Sequence, residues 1–312
     1  MIRAAAFALA LVFAFSAQAQ DANCNAQWAR LSDLLIKAGA IDAALPGLIR
    51  ETANGGCRIN GVALPSWDNL DVKAQSLSWR GRDLDRFARE GLPPTALSLS
   101  IKGITLVPNI GDPVFSYIQS IQARGKSIDV ALSYRWDEAA KVLELQSLRF
   151  DFPQDDYLEL QARVDRVDLT NLGTMQVSVG GFAVTDTSLV IRSERMFQDY
   201  VLTALGSVVL RGSSDSAGRV AALKVIGSEA VMRAPNDVLN SASKTALNGL
   251  IDQMPDPKGQ LVIETSSRTG IGPARFLPLV LPYVFGSVWF DGLDDVWQLL
   301  DGVDTTITYD KF

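Results

Sequence analysis

The chain has 312 residues, with 29 Lys and Arg, 35 Asp and Glu, and no His. The absence of histidine excludes Ser–His–Asp and Cys–His nucleophilic sites, and zinc or iron sites with imidazole ligands. Basic and acidic residues are interleaved without a basic run, which argues against nucleic acid or an anionic membrane surface as the main partner.

Residues 1–20 have the pattern of a secretory signal peptide. Arg3 precedes an apolar run over residues 4–15, and residues 17–19 form a small-residue cleavage site. The apolar run is shorter than the roughly 20 residues that a helix needs to span a bilayer, although a retained anchor is the alternative. We therefore expect cleavage near Gln20, export to the periplasm and no transmembrane anchor after the signal is removed.

The two cysteines, Cys24 and Cys57, lie near the start of the expected mature chain. An even number of cysteines in an exported protein favours a disulfide, with two free buried thiols as the alternative. Helical spacing of apolar residues after Cys24, and a second short helix over residues 41–52, predict an N-terminal helical hairpin. Residues 21–64 are thus expected to form a disulfide-pinned helical segment, and residues 65–312 an α+β domain.

From Trp67 onward the apolar pattern changes to the alternation of β-strands. Leu70 and Val72 differ in parity from Leu77 and Trp79, so a slip must lie between the two pairs. After a further strand, residues 112–125 predict an amphipathic helix, because a cap residue and a proline precede an apolar stripe that a glycine ends.

A long alternating ribbon occupies residues 143–169. Its apolar residues change parity twice, first near Gln146 and Ser147 and again near Asp165 and Arg166. A one-residue shift turns every following side chain to the other face unless a β-bulge absorbs it. Two bulges in one ribbon predict a strongly curled sheet.

The remainder of the chain combines further strands with helices. Strand patterns occupy residues 174–192, 258–270 and 303–312, and helical patterns occupy residues 193–210, 219–232 and 236–255. An apolar run over residues 274–290 is interrupted by Pro278 and Pro282, which predicts a buried loop and short helix and not a membrane span. The predicted fold class is α+β: a long curled antiparallel β-sheet packed by several amphipathic helices, with an N-terminal helical hairpin.

Short motifs offer few candidates for catalysis. Ser241 and Lys244 match the Ser-x-x-Lys nucleophile pattern, and residues 267–270 resemble its later Lys-Thr-Gly element, but a polar helix face explains them equally well. Two carboxylate pairs, Asp155 with Asp156 and Asp294 with Asp295, are candidates for a glycosidase or a calcium site, or for a turn and a helix start. We predict no catalytic residue, no metal site and no cofactor.

The strongest candidate surface is the apolar face of the ribbon strands, which carries Tyr134, Trp136, Phe150 and Phe152. Covering this face with helices is the default way to bury it, and residues 113–123, 194–210 and 237–251 are the predicted covers. The alternative is a groove or tunnel that is left open for an acyl chain or another apolar molecule.

The ribbon over residues 128–170 resembles segments of uncharacterised exported proteins of Gram-negative bacteria, and similar ribbons occur in AsmA-like envelope proteins. Residues 186–205 and 242–280 are similar to the C-terminal parts of such exported families. The resemblance implies an envelope location and contact with lipid, but assigns no functional residue. AsmA-like proteins differ in having a membrane anchor and greater length.

Together these patterns predict a periplasmic, non-enzymatic protein that binds a lipid, another apolar envelope molecule or an envelope protein. A structural or assembly factor without a small ligand is the first alternative. A Ser/Lys- or carboxylate-dependent hydrolase is the second.

Overall fold

The structure is a computed structural model that describes residues 24–37, 49–67, 70–108, 111–123, 125–273, 275, 297 and 300–312. The predicted signal peptide and most of the second predicted helix, residues 41–48, lie outside these residues. The described chain is α+β, and its ten strands are hydrogen-bonded in chain order as an antiparallel sheet. The strands are β1 (Ile49–Glu51), β2 (Cys57–Trp67), β3 (Leu70–Arg82), β4 (Ala96–Pro108), β5 (Ile128–Asp137), β6 (Val142–Asp151), β7 (Tyr157–Asp165), β8 (Ala183–Ser193), β9 (Gly259–Ile271) and β10 (Asp304–Lys311).

Helices connect or follow these strands. They are α1 (Cys24–Lys37), α2 (Leu84–Glu90), α3 (Pro113–Ala123), α4 (Leu172–Gly181), α5 (Leu202–Val209) after a π-helical turn (Phe197–Val201), α6 (Ser216–Arg233) and α7 (Ser241–Gln253). The chain forms two compact units: unit 1 contains the described residues up to Pro153 and Asp168–Gln176, and unit 2 contains Gln154–Val167 and Val177–Phe312. The boundary predicted after residue 64 falls inside β2.

The core of unit 1 lies between the sheet and helices α1 and α2. Cys57, Trp79, Leu99 and Leu132 lie opposite one another on four successive strands, so their side chains share one face. All four are buried, and apolar residues of both helices pack against them. Trp28 of α1 stacks on Trp79, with ring centroids 6.0 Å apart. Such pairs contribute about 1 kcal/mol beyond the burial of their surface.

The predicted disulfide between Cys24 and Cys57 is confirmed, with a Cα–Cα distance of 5.7 Å. It joins the first residue of α1 to the first residue of β2. Beside it, the buried Gln27 side chain accepts a hydrogen bond from the indole N–H of Trp79 at 2.8 Å. The disulfide and this polar contact fix α1 on the sheet, and the oxidised pair fits an extracytoplasmic compartment.

The parity slip predicted in β3 is confirmed. Ile59 and Leu77 point into the core on one side of the slip, and Val62 and Ala74 do so on the other. Gly103 of β4 lies at the same level with φ +66°, and a Cβ there would lie 2.4 Å from the Gln75 side chain. The break therefore favours a glycine, because its left-handed backbone strains any other residue, whereas the flexible Gln75 side chain could move aside.

The first slip predicted in the ribbon is also confirmed, because Ser133 pairs with Ser147 while Tyr134 pairs with Leu145. Gln146 is the extra residue, and Leu145 and Leu148 both contact the core. The second slip is not a bulge, since β7 ends at Asp165 and Arg166 has φ +63°. The prediction of a strongly curled sheet is wrong. The second parity change lies beyond the end of β7, so it adds no bulge within that strand.

The core of unit 2 lies between α7 and the last two strands. Leu261 of β9 and Ile307 of β10 are buried against Val238 and Leu239, and apolar residues of α7 pack on them. The Ser243 hydroxyl, which is fully buried, accepts a hydrogen bond from the Ile307 backbone N–H at 2.9 Å. This contact fixes α7 on the sheet.

Three local predictions were wrong. Residues Ile49–Glu51, at the end of the predicted second helix, form β1 and not a helix. Residues 172–181 form α4 and not a strand, because Asn171 and Thr174 satisfy each other's backbone N–H groups at 3.0 and 3.3 Å, the arrangement of a capping box. The cap of α7 is Asn240 and not Asn236, and its side chain accepts from the Ser243 N–H at 2.9 Å.

Candidate functional site

The four residues of the predicted ligand face lie in two different environments. Tyr134 and Trp136 are each 3% exposed, and Tyr134 belongs to the core of unit 1. Burial raises the pKa of the Tyr134 hydroxyl well above its ordinary value, although the Arg86 charge lowers it. Among the described residues the hydroxyl has no hydrogen-bond partner. Helices α1 and α2 therefore fill this end of the sheet face, and it offers no open surface to a ligand.

Trp136 is held at the rim of the same core. The guanidinium of Arg86 and the ammonium of Lys141 lie 5.6 and 5.4 Å from the centre of its ring. Cations over an indole face stabilise by about 0.5–2 kcal/mol. The Lys141 ammonium also lies 3.2 Å from the Asp168 carboxylate. These contacts are structural, because they connect α2, the β5–β6 turn and the segment before α4.

Phe150 and Phe152 lie toward the other end of the face, where cover is incomplete. Phe150 pairs with Val130 on β5, and the neighbouring Ile128 pairs with Ile104 on β4. All these side chains are half-buried. On the same face of β4, beyond Ile104, Leu106 is 47% exposed. The apolar face thus continues past the core cluster into a region where it contacts water.

Helix α3 connects β4 to β5 at this open end and packs against β4. Asp112 begins it, accepting hydrogen bonds from the backbone N–H groups of Val114 and Phe115 at 2.8 and 3.0 Å. The predicted amphipathic helix is therefore confirmed, but its stripe does not cover the sheet. Val114, Phe115, Ile118 and Ile121 are between 37% and 68% exposed.

We call these four side chains, together with Leu106, the unit 1 apolar surface. No charged residue occurs in α3. Charged pairs lie instead on the opposite face of the sheet, where the Lys102 ammonium contacts the Asp129 carboxylate at 2.9 Å. Burial alone would raise the pKa of Asp129, but hydrogen bonds from Lys102 and the Gly103 N–H lower it overall. The surface is therefore apolar and uncharged, as is typical of sites that contact a protein, a membrane or an apolar ligand.

The sequence motifs do not assemble a hydrolytic site. Ser241 is exposed, whereas the Lys244 ammonium is buried and donates to the Asn236 side chain at 2.8 Å and to the Met232 carbonyl at 3.4 Å. Lys244 thus binds the end of α6 and is not directed at Ser241. Ser267 is buried and donates to the Gly302 carbonyl at 3.4 Å.

Of the two carboxylate pairs, one has structural contacts and the other lies outside the described residues. Asp155 is exposed in a turn, and Asp156 is buried, where it accepts three backbone N–H groups. Asp294 and Asp295 lie outside the described residues. Within the described ranges, no group of three or more acidic or cysteine side chains could hold a metal ion.

The unit 1 apolar surface was not predicted from the sequence, because the apolar stripe of α3 was expected to cover the sheet. A signal was present in the sequence. Between Asp112 and Arg124 there is no charged residue, and the polar residues are Ser, Gln and Tyr117. A surface helix of a globular protein ordinarily carries charges opposite its apolar stripe.

No protein-family model matches the chain, and no curated protein is significantly similar to it. Among the described residues, no helix is long and apolar enough to cross a membrane.

Proposed function

We propose that this is an exported, non-enzymatic protein of the periplasm that binds the acyl chain of a lipid on the unit 1 apolar surface. The observation that carries the proposal is the exposure of four large apolar side chains on the uncharged helix α3. Covering them with hydrocarbon would contribute on the order of 4 kcal/mol, since a fully buried side chain contributes about 1.5–3 kcal/mol and these are about half exposed. Each methylene of the bound chain adds about 0.8 kcal/mol.

The proposed periplasmic location is supported by the signal-peptide pattern and by the disulfide, which is typical of an oxidising compartment. The resemblance to exported Gram-negative envelope proteins supports the same location. An acyl chain fits the surface better than a polar ligand, because α3 offers no charge and the Lys102–Asp129 ion pair of the neighbouring strands lies on the opposite face of the sheet.

The test is direct measurement of bound lipid. The protein purified from a periplasmic fraction is analysed by native mass spectrometry and solvent extraction, and binding of a fluorescent fatty acid is titrated. We expect a co-purified lipid, and a loss of fatty-acid affinity of about tenfold in the double variant Ile118→Ser, Ile121→Ser, because two apolar contacts are removed.

The matched control is Val177→Ser, which changes a side chain of 79% exposure on α4, another uncharged helix. Its affinity should equal that of the unmodified protein. Recovery of no lipid together with no fatty-acid binding would exclude the proposal and favour an assembly factor. Equal losses in the α3 and α4 variants would show that binding is not located at α3.

A further inference from the structure

Helix α6 contacts α7 mainly through polar groups. The Lys224 ammonium donates to the carbonyls of Asp252 and Met254 at 2.6 and 3.1 Å, and Ser228 bonds to Asn248 at 2.6 Å. At Gly227 the two helices approach closely, since a Cβ there would lie 3.5 Å from Ile251. The side of α6 that faces protein is thus fixed by these residues.

The opposite side of α6 is exposed and carries a regular stripe. Its members follow one another at intervals of four, three, four, three and four residues, which keeps them on one helix face. They are Asp215 at the N-cap, Arg219, Ala222, Ile226, Glu229 and Arg233, and every one is exposed. Val225 and Met232, 58% and 61% exposed, flank the stripe.

The stripe is complementary to itself when it is reversed. An antiparallel register that places Arg219 opposite Glu229 of a second copy also places Asp215 opposite Arg233 and Ala222 opposite Ile226. Each positive charge then meets a negative charge, and the large apolar side chain meets the small one. Within the described chain neither Arg219 nor Glu229 forms an ion pair, so both are available. The Asp215 carboxylate accepts the Gly218 N–H at 2.8 Å through one oxygen, which leaves its other oxygen for Arg233.

From this register we infer that α6 is the contact of a two-fold symmetric homodimer, in which two copies of the helix pack antiparallel. A two-fold axis repeats every contact, so the central apolar pairs are bordered by four ion pairs. A lipid surface would fit the stripe less well than a second copy of α6, because the charged side chains of the stripe alternate in sign. The inference concerns unit 2 and is independent of lipid binding at α3.

The experiment is sedimentation velocity of the purified protein over a range of concentrations. We expect a reversible monomer–dimer equilibrium. Arg219→Glu should weaken the dimer about tenfold, because it makes two attractive pairs repulsive in each dimer. Adding Glu229→Arg to the same chain should restore the affinity, since the swapped charges again meet as opposites.

The matched control is Arg268→Glu, the same charge change at an exposed position of β9. It should leave the dimer unchanged. A monomer at all concentrations would overturn the inference. So would a dimer that Arg219→Glu and Arg268→Glu affect equally, or one that the Arg219→Glu, Glu229→Arg pair fails to restore. Circular dichroism of each variant is the control for folding.

Discussion

Asp156 offers the sharpest test of how unit 2 is held together. Its carboxylate is 1% exposed and accepts hydrogen bonds from the backbone N–H groups of Glu194, Arg195 and Met196 at 2.6, 2.8 and 2.6 Å. These donors lie between β8 and the π-helical turn, where no helical carbonyl can satisfy them. The carboxylate therefore joins the start of β7 to this corner of the chain.

The loss of stability on changing Asp156 follows from these three hydrogen bonds. The asparagine oxygen can take the place of Oδ1 and keep the bond to Glu194, but its amide group would face the N–H donors of Arg195 and Met196. Two charge-assisted bonds are lost, each contributing about 1.5–3 kcal/mol. We expect Asp156→Asn to lower the free energy of unfolding by about 3 kcal/mol, and Asp156→Ala to lower it further because all three donors lose their acceptor.

Urea denaturation followed by circular dichroism measures this difference. Asp155→Asn is the matched control, because it changes the neighbouring carboxylate, which is exposed and has φ +61°, a conformation that asparagine tolerates. It should change the free energy by less than about 0.5 kcal/mol. If Asp156→Asn were as stable as this control, the three hydrogen bonds would not stabilise unit 2 and the reasoning would be refuted.

Three further changes have expected outcomes. Replacing Cys24 and Cys57 by serine should cost about 4 kcal/mol in the free energy of unfolding, because the disulfide closes a loop with a sequence separation of 33. Lys224→Met should cost about 1 kcal/mol by removing two bonds to the end of α7. Hydrogen bonds from Thr170, and then the Lys141 charge, lower the pKa of Asp168 from 3.8 to about 2, so NMR titration should place its midpoint there.

Each of these three outcomes has its own control. The cysteine double variant is compared with the reduced unmodified protein, and unequal stabilities would contradict the loop-closure account. Lys311→Met changes an exposed lysine and should leave the free energy of unfolding unchanged. A similar loss of stability in both lysine variants would contradict the role given to Lys224. Because the folded pKa of Asp168 is depressed, its stabilisation is complete above pH 3.8 and is lost as the pH falls toward 2. In Asp168→Asn the free energy of unfolding should fall less between pH 3.8 and pH 2. A pH profile equal to that of the unmodified protein would contradict this role of Asp168.

The strands could be predicted from the sequence because their signal is local. A period of two is visible in any strand with one apolar face, and the bulge at Gln146 could be located from parity alone. Parity could not show that Arg166 lies beyond the end of β7, where Val167 and Leu169 are buried outside any strand. There the Arg86 guanidinium donates to the Leu169 carbonyl, a contact between residues distant in sequence.

The candidate surface was harder to predict, because the sequence does not specify which apolar stripe covers which face. The α3 stripe and the α1 residues Leu31 and Leu35 are equally apolar, yet the α1 residues are buried and the α3 stripe is exposed. The disulfide at Cys24 distinguishes them, since it fixes α1 beside the first buried residue of β2. A covalent bond thus gives α1 an advantage that no hydrophobic pattern reveals.

Which helices cover the sheet of unit 1 also determines where an apolar ligand could bind. Tyr134 and Trp79 are enclosed by α1 and α2, so these two aromatic residues stabilise the fold of unit 1. Helices α1 and α2 already cover the sheet face around these residues. The apolar stripe of α3 is therefore not needed as a cover and lies exposed on a helix without charges. In unit 1, the lipid binding that we propose would therefore take place at helix α3 and the uncovered end of β4, and not at the aromatic face that the alternating ribbon first indicated.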